Sequence, residues 1–203
     1  MTTIETALVS TLQTKLVKMM ADLHVPGAAI AIVKDGNIIV SKGFGYRNLE
    51  KIEPVTPQTR FAIGSTTKAF GTFSLSLLEQ QKKFDWDTPV QSYIPYFSLS
   101  VIVANAQITT RDLASHRSGI GRHDLLWYIH SLSRKEVVEK IKYLPRESLF
   151  RASYLYNNLM YATISSTVES ITHQTWEQYV AEHILQPLQM EQTNFSVIDS
   201  QNK

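Results

Sequence analysis

Two β-prone runs, Ala28-Ala29-Ile30-Ala31-Ile32-Val33 and Ile38-Ile39-Val40, lie either side of Asp35-Gly36. A tight hairpin turn needs positive φ at its central residues, and an Asp-Gly pair supplies it at little steric cost. The pattern predicts a β-hairpin over 28–42. That element limits the rest of the chain, because two strands in water are marginal without a third strand or a packed helix. The exposed edge of such a sheet also invites a second chain, so self-association through that edge is an expectation.

The residues before the hairpin supply a helix. Ile4, Leu8, Leu12, Leu16, Met19, Met20 and Leu23 recur with polar residues between them, and Pro26-Gly27 stops the run. This reads as an amphipathic helix over 4–24 rather than a signal peptide. The apolar stretch from Gly27 to Val33 is too short for a bilayer, which takes about 20 residues. The expectations are a cytoplasmic location and no membrane segment.

After the hairpin, Gly43 to Pro57 reads as loop, and Ser65 to about Gln80 as a largely buried helix. Residues 81–111, with Pro89 and Pro95, read as short helices and turns. Thr109-Thr110-Arg111-Asp112 opens a helix expected to stop at Ser118-Gly119, and 133–142 reads as a surface helix rich in Lys and Glu. Met160, Ile164, Val168 and Ile171 form one apolar stripe in 157–172. Trp176, Tyr179, Val180 and Ile184 form another in 176–185, where Thr175 and Gln178 have capping-box spacing. Val197 to Lys203 reads as a frayed end.

Composition narrows the function classes. The 203 residues are 43% hydrophobic and 19% charged, ordinary values for one globular domain or two small ones. The absence of cysteine excludes disulfides, thiolate metal sites and cysteine nucleophiles. With 20 basic against 18 acidic residues, a formal charge of +2 and no long basic run, nucleic acid is not an expected partner.

Ser65-Thr66-Thr67-Lys68 has the form S-x-x-K. Positions i and i+3 share a helix face, so Lys68 can reach the Ser65 hydroxyl, and a helix start offers N–H groups to developing negative charge. A lysine serves as a base only when burial or neighbouring positive charge lowers its pKa. Tyr156-Asn157-Asn158 has the form Y-x-N. A tyrosine beside a lysine can relay a proton, and an asparagine amide can hold a carbonyl. Each motif alone is weak: Ser200 to Lys203 also fits S-x-x-K, and Tyr46-Arg47-Asn48 also fits Y-x-N. Tyr156 equally fits an ordinary core tyrosine with a satisfied hydroxyl.

In order, Phe61-Ala62-Ile63-Gly64-Ser65-Thr66-Thr67-Lys68, Leu113-Ala114-Ser115-His116-Arg117-Ser118-Gly119 and Tyr156-Asn157-Asn158 resemble the serine β-lactamase and penicillin-binding-protein superfamily. The likeness is to its class C branch, with the related D-alanyl-D-alanine carboxypeptidases and esterases. Leu78 to Val90, Tyr93-Ile94-Pro95 and Pro187-Leu188-Gln189-Met190 with Thr193 extend it over about residues 5–198.

The resemblance implies an α+β fold, an α/β sandwich plus a helical subdomain, with 1–80 holding helix, hairpin and nucleophile helix and 81–203 mostly helical. It implies Ser65 as the acyl-accepting nucleophile, Lys68 as its proton partner and Tyr156 as the second acid/base group. It implies Asn158 as binder of the substrate amide carbonyl, and the Ser65 backbone N–H as an oxyanion donor. His116 and Gly119 match a turn that reads as structural. The implied partner is a small-molecule or peptide substrate with an amide, ester or β-lactam carbonyl, and no metal or organic cofactor is required.

The family's third motif, Lys-Thr-Gly or His-x-Gly on a later strand, has no match after Asn158, and no glycine follows Gly121. The 203 residues therefore read as an incomplete β-lactamase-like domain lacking its C-terminal strands. Loss of one oxyanion donor typically costs about 10²–10³ in turnover. A poorly active, unstable or self-associating chain is expected, and a non-catalytic penicillin-binding or muropeptide-sensing module is the rival reading.

The remaining candidates read more simply. His116, His123 and His130 are spaced by seven where a zinc helix wants four, and glycines interrupt them. Asp85 and Asp87 suit turns and caps. Lys135, Glu136, Glu139, Lys140 and Lys142 suit a solvated face. Trp127 and Tyr128 fit either a substrate cleft or rim packing. Gly43-Phe44-Gly45 lacks the strand–glycine–helix context of a phosphate loop.

Overall fold

The computed structural model describes residues 3–128 and 131–201. In chain order the elements are α1 (Thr3–Asp22), β1 (Gly27–Lys34), β2 (Asn37–Asn48), β3 (Glu53–Pro54) and a 3₁₀ turn (Gly64–Thr66). There follow α2 (Thr67–Gln80), α3 (Val90–Tyr93), α4 (Ile102–Gln107), α5 (Thr110–Ala114), α6 (Leu125–Tyr128) and α7 (Arg134–Lys140) with a 3₁₀ turn (Ile141–Tyr143). The rest is α8 (Asn158–Thr172), α9 (Trp176–Val180) with a π-type turn (Ala181–Leu185), and α10 (Val197–Gln201). The chain divides into two compact units, one made of the segments up to Ala62 and from Ser196, the other of Ile63–Phe195.

In the first unit β1 and β2 pair antiparallel, with Ile32 opposite Val40 and Lys34 opposite Asn37. Asp35 (φ 50°) and Gly36 (φ 74°) make the expected positive-φ turn. The hairpin runs further than 28–42: β2 continues to Asn48, and β3 pairs with it through Tyr46–Pro54 and Asn48–Glu53. The glycines that suggested a loop are where backbones meet. A Cβ on Gly43 would lie 2.2 Å from the Val55 carbonyl oxygen, and one on Gly45 (φ 67°) would lie 2.1 Å from that of Pro26. The hairpin thus gains its third strand, and α1 supplies Val17, Met20 and Ala21 opposite Phe44 and Tyr46 across a shallow cleft. The expected frayed end is helical over Val197–Gln201, and its last two residues lie outside the described ones.

The second unit is helical and holds the core. From α8, Leu159, Met160, Ile164 and Val168 are at most 1% exposed and meet Leu75 and Leu78 of α2, with Ile94, Phe97, Leu113, Ile141, Trp176 and Val180 in the same cluster. The stripe predicted for α8 is therefore the central face, with Ile171 half-buried against it.

Other expectations shift. Helix α2 is not largely buried: Gly71, Ser74, Leu75 and Leu78 form a single stripe, and Phe73 is 50% exposed. The small and apolar residues around it masked an ordinary one-faced helix. The helix opened by the Thr109–Asp112 capping box ends at Ala114, because His116 takes a left-handed backbone (φ 58°). Helix α7 has its charged face, with Lys135 and Glu139 3.7 Å apart, yet Val137, Val138 and Ile141 are buried. The Thr175–Gln178 capping box is present. No helix among the described residues is long and apolar enough to cross a membrane.

Candidate active site

Three segments of the 63–195 unit build the site: the entry to α2, the loop between α5 and α6, and the entry to α8. Ser65 is exposed in the 3₁₀ turn that leads into α2, so it precedes the α-helix instead of opening it. One turn on, half-buried Lys68 brings Nζ to 3.1 Å from the Ser65 Oγ, as the i, i+3 spacing predicts.

Tyr156 and Asn158 reach the same point because of the residue between them. Asn157 is extended (φ −143°, ψ 117°), so its neighbours project to the side opposite its own side chain. Its fully buried side chain caps α8 by accepting from the Leu159 and Met160 N–H groups, and donates to the Ile120 (3.1 Å) and Gly121 (2.7 Å) carbonyls. Its own N–H donates to His116 Nδ1 at 3.1 Å. Asn157 thus fastens the loop to the helix start, with its N–H and both side-chain polar atoms bonded.

On the facing side the Tyr156 hydroxyl lies 2.5 Å from Ser65 Oγ. Lys68 Nζ donates to the Tyr156 hydroxyl at 2.6 Å and to Asn158 Oδ1 at 2.7 Å. The three ammonium protons therefore have three acceptors, Ser65, Tyr156 and Asn158. Lys68 also sits 5.2 Å from the centre of the Tyr161 ring. The hydrogen bond from Lys68, then that from Ser65, holds the Tyr156 phenol below its ordinary pKa against the opposing effect of burial, with the charges of Lys68 and Arg122 assisting. The His116 ring lies 4.6 Å from that of Tyr156 at a 39° tilt, and burial, followed by the charge of Lys68, pushes its pKa down. A neutral imidazole is the form that can accept from Asn157.

The four sequence-predicted residues Ser65, Lys68, Tyr156 and Asn158 are thus brought together by hydrogen bonds. Chemically the cluster pairs a hydroxyl with a phenol held below its ordinary pKa, both bonded to Lys68 Nζ. The Asn158 amide has one Nδ2 proton on Asp124 Oδ1 at 2.9 Å and a second proton to offer a carbonyl. Of the turn residues, His116 lies against Tyr156, and the Gly119 carbonyl accepts from the Glu147 and Ser148 N–H groups. Gly119 is needed as glycine, since at φ 80° its Cβ would fall 2.6 Å from the Ser148 carbonyl oxygen.

Sequence reasoning missed Asp124 and Arg122, whose roles come from loop geometry that no motif encodes, and Tyr161, which faces Lys68 from the first turn of α8. Asn157 was visible only as the middle of Y-x-N. Of the remaining candidates, Asp87 pairs with Arg111 at 2.8 Å, and Asp85 accepts the Asp87 N–H. Trp127 and Tyr128 lie on α6, 44% and 77% exposed. Tyr46 and Asn48 sit on β2, and Ser200 is on α10. His130 and Lys203 lie outside the described residues. Among the described residues no three His, Asp or Glu side chains gather as a metal site.

Residues 12–203 match the family model described as Beta-lactamase. Protein flp of Staphylococcus aureus (strain MW2) is 29% identical over 188 residues, 89% of this chain and 37% of the relative. Unguisins hydrolase ungD' of Aspergillus campestris is 36% identical over 186 residues, 87% of this chain and 34% of the relative. The chain thus spans about a third of the length of these curated relatives. Among solved structures, the octameric penicillin-binding protein homologue from Pyrococcus abyssi superposes with a TM-score of 0.85 at 27% identity, over 96% of this chain and 46% of that one. The hydrolase EstCE1 shares the fold, with a TM-score of 0.82 at 18% identity over 93% of this chain and 53% of that one. With the family model matching from Thr11's neighbour Leu12 onward and the same mixed α/β architecture in both structures, the chain belongs to the beta-lactamase family.

Proposed function

We propose that the 63–195 unit carries the nucleophile and acid/base groups of a serine hydrolase that works through an acyl-enzyme. The hydrogen-bonded Tyr156–Lys68 pair, in the form that lacks one proton, takes the Ser65 proton through Tyr156 as Oγ attacks an amide, ester or β-lactam carbonyl carbon. The tetrahedral intermediate collapses as the carbon–leaving-group bond breaks and Tyr156 returns the proton to the departing nitrogen or oxygen. A water then attacks the Ser65 ester, losing its proton to Tyr156, and the Ser65 oxygen leaves and recovers that proton. Lys68 orients Ser65 and Tyr156 through its Nζ bonds to both oxygens. Asn158 holds Lys68 through Oδ1 and offers an Nδ2 proton to the substrate. No metal or organic cofactor enters these steps.

The observation that carries the reading is the contact of the Ser65 and Tyr156 oxygens at 2.5 Å, with Lys68 Nζ 3.1 and 2.6 Å from them. The 36% identity to a protein named as a hydrolase agrees with it. The test is intact-mass analysis of the 203-residue chain after incubation with a fluorophosphonate. One adduct that Ser65→Ala abolishes is expected; no adduct, or one that survives Ser65→Ala, overturns the reading. Nitrocefin and a p-nitrophenyl ester then divide lactamase from esterase. Labelling of Ser65 without turnover of either assigns an acyl-binding module in place of a hydrolase.

A further inference from the structure

We infer that Asp124 is a positioning residue that sets which way the Asn158 amide faces and, through it, holds Lys68 against Ser65 and Tyr156. The inference rests on the reading of Ser65 as nucleophile, but its geometry is independent of it. Asn158 stands between two charges of opposite sign. Its Oδ1 accepts from the Lys68 ammonium at 2.7 Å, and its Nδ2 donates to Asp124 Oδ1 at 2.9 Å. An ammonium only donates and a carboxylate only accepts, so turning the amide over would set N–H against Lys68 and C=O against Asp124. Both contacts would become repulsive. With Asp124 removed, only the Lys68 side opposes that rotation.

Asp124 is itself fixed, which a positioning group must be. Its Oδ2 pairs with Arg122, and its Oδ1 also takes the Trp127 indole N–H at 3.4 Å. Its backbone carbonyl accepts from the Trp127 and Tyr128 N–H groups, starting α6. The loop that carries it is tied to α8 by the Asn157 amide through the carbonyls of Ile120 and Gly121. The consecutive asparagines therefore divide the work: Asn157 holds the loop backbone, and Asn158 holds the loop carboxylate. The Arg122 and Asn158 bonds together, against burial, keep the Asp124 carboxyl below its ordinary pKa. It is therefore an acceptor throughout the neutral range.

The test uses the full chain, with the fluorophosphonate labelling rate and the ¹⁵N-resolved side-chain amide signal of Asn158 as readouts. In the wild type that signal is expected to carry the downfield proton of a charge-assisted bond. Asp124→Ala should lose it and label Ser65 about 10- to 100-fold more slowly. Asp124→Asn keeps an acceptor and should restore most of the rate. An unchanged Asn158 signal in Asp124→Ala overturns the inference, as does a wild-type labelling rate in that variant. Equal loss in Asp124→Asn and Asp124→Ala assigns the effect to the Arg122 pair and also overturns it. Should Asp124→Ala fail to fold, Asp124→Leu, with the same branching and without an acceptor, takes its place. If the wild type does not label at all, the hydrolase reading falls, and the amide signal alone decides the role of Asp124.

Discussion

In the 63–195 unit the holding is done by side chains: Leu75, Leu78, Ile94, Phe97, Met160, Ile164 and Val168 are all fully buried in one cluster. In the hairpin unit, among the described residues, Val40 and Val55 are the large apolar side chains buried below a tenth, while Val33 and Ile38 are 63% and 71% exposed. That unit closes through its backbone instead, with Gly43 and Gly45 allowing carbonyls of other segments to approach where a Cβ would sit. A side-chain core gives the candidate chemistry its anchor. All four clustered residues, and Asp124 beside them, belong to the unit with the packed core.

Substitutions and pH separate the two units. The largest effect is expected for Leu75→Ala and Ile164→Ala, each costing about 2–5 kcal/mol in denaturant unfolding of the helical unit. Ile38→Ala should cost less than about 0.5 kcal/mol. A comparable cost at Ile38 would show that the hairpin depends on side chains after all. Next comes Gly45→Ala, expected to cost about 1–3 kcal/mol from left-handed strain and backbone contact. Hydrogen exchange should rise in β1 and β2 and stay unchanged in α8; the reverse distribution would undo the assignment of backbone closure to the hairpin unit.

Asn157→Ala should cost about 1–2 kcal/mol for the lost cap, with further loss from the uncovered Ile120 and Gly121 carbonyls. It should also slow Ser65 labelling, because Tyr156 and Asn158 lose their fixed entry to α8. The smallest effect is that of pH. The His116 pKa is lowered in the folded chain by burial and then by Lys68, from an ordinary value of about 6.5. The unfolded chain then binds more protons in that window, so stability rises with pH there. It should be constant above about 6.5 and fall as pH drops through the lower folded value, a step that His116→Gln removes. At more acid pH a second fall belongs to Asp112. Burial pushes that carboxyl up, but the bonds from Arg151 and Thr109 outweigh it and hold it below 3.8.

The sequence displayed these regions unequally. The Asp35-Gly36 hairpin, the α8 stripe and the Thr175 cap rest on short-range rules, and each is where the pattern put it. The continuation of β2 to Asn48 was hidden because its glycines serve long-range contacts, and a glycine says nothing of what will approach it. At the site, Ser65 and Lys68 were legible from i, i+3 spacing, and Tyr156 and Asn158 from their place in an ordered set of motifs. Asp124 was not, since its part depends on a loop that Asn157 ties down from 36 residues away. The one-sided burial of α2 was obscured because small residues are compatible with either face.

The central claim, that Ser65, Lys68 and Tyr156 meet in one hydrogen-bonded cluster, is tested most directly by titrating the tyrosines through their Cζ carbons, with Tyr156 assigned by Tyr156→Phe. Tyr156 is expected to ionise below the ordinary value of about 10, and Lys68→Ala should move it upward. A Tyr156 that titrates at the ordinary tyrosine value, and does not respond to Lys68→Ala, would contradict the account.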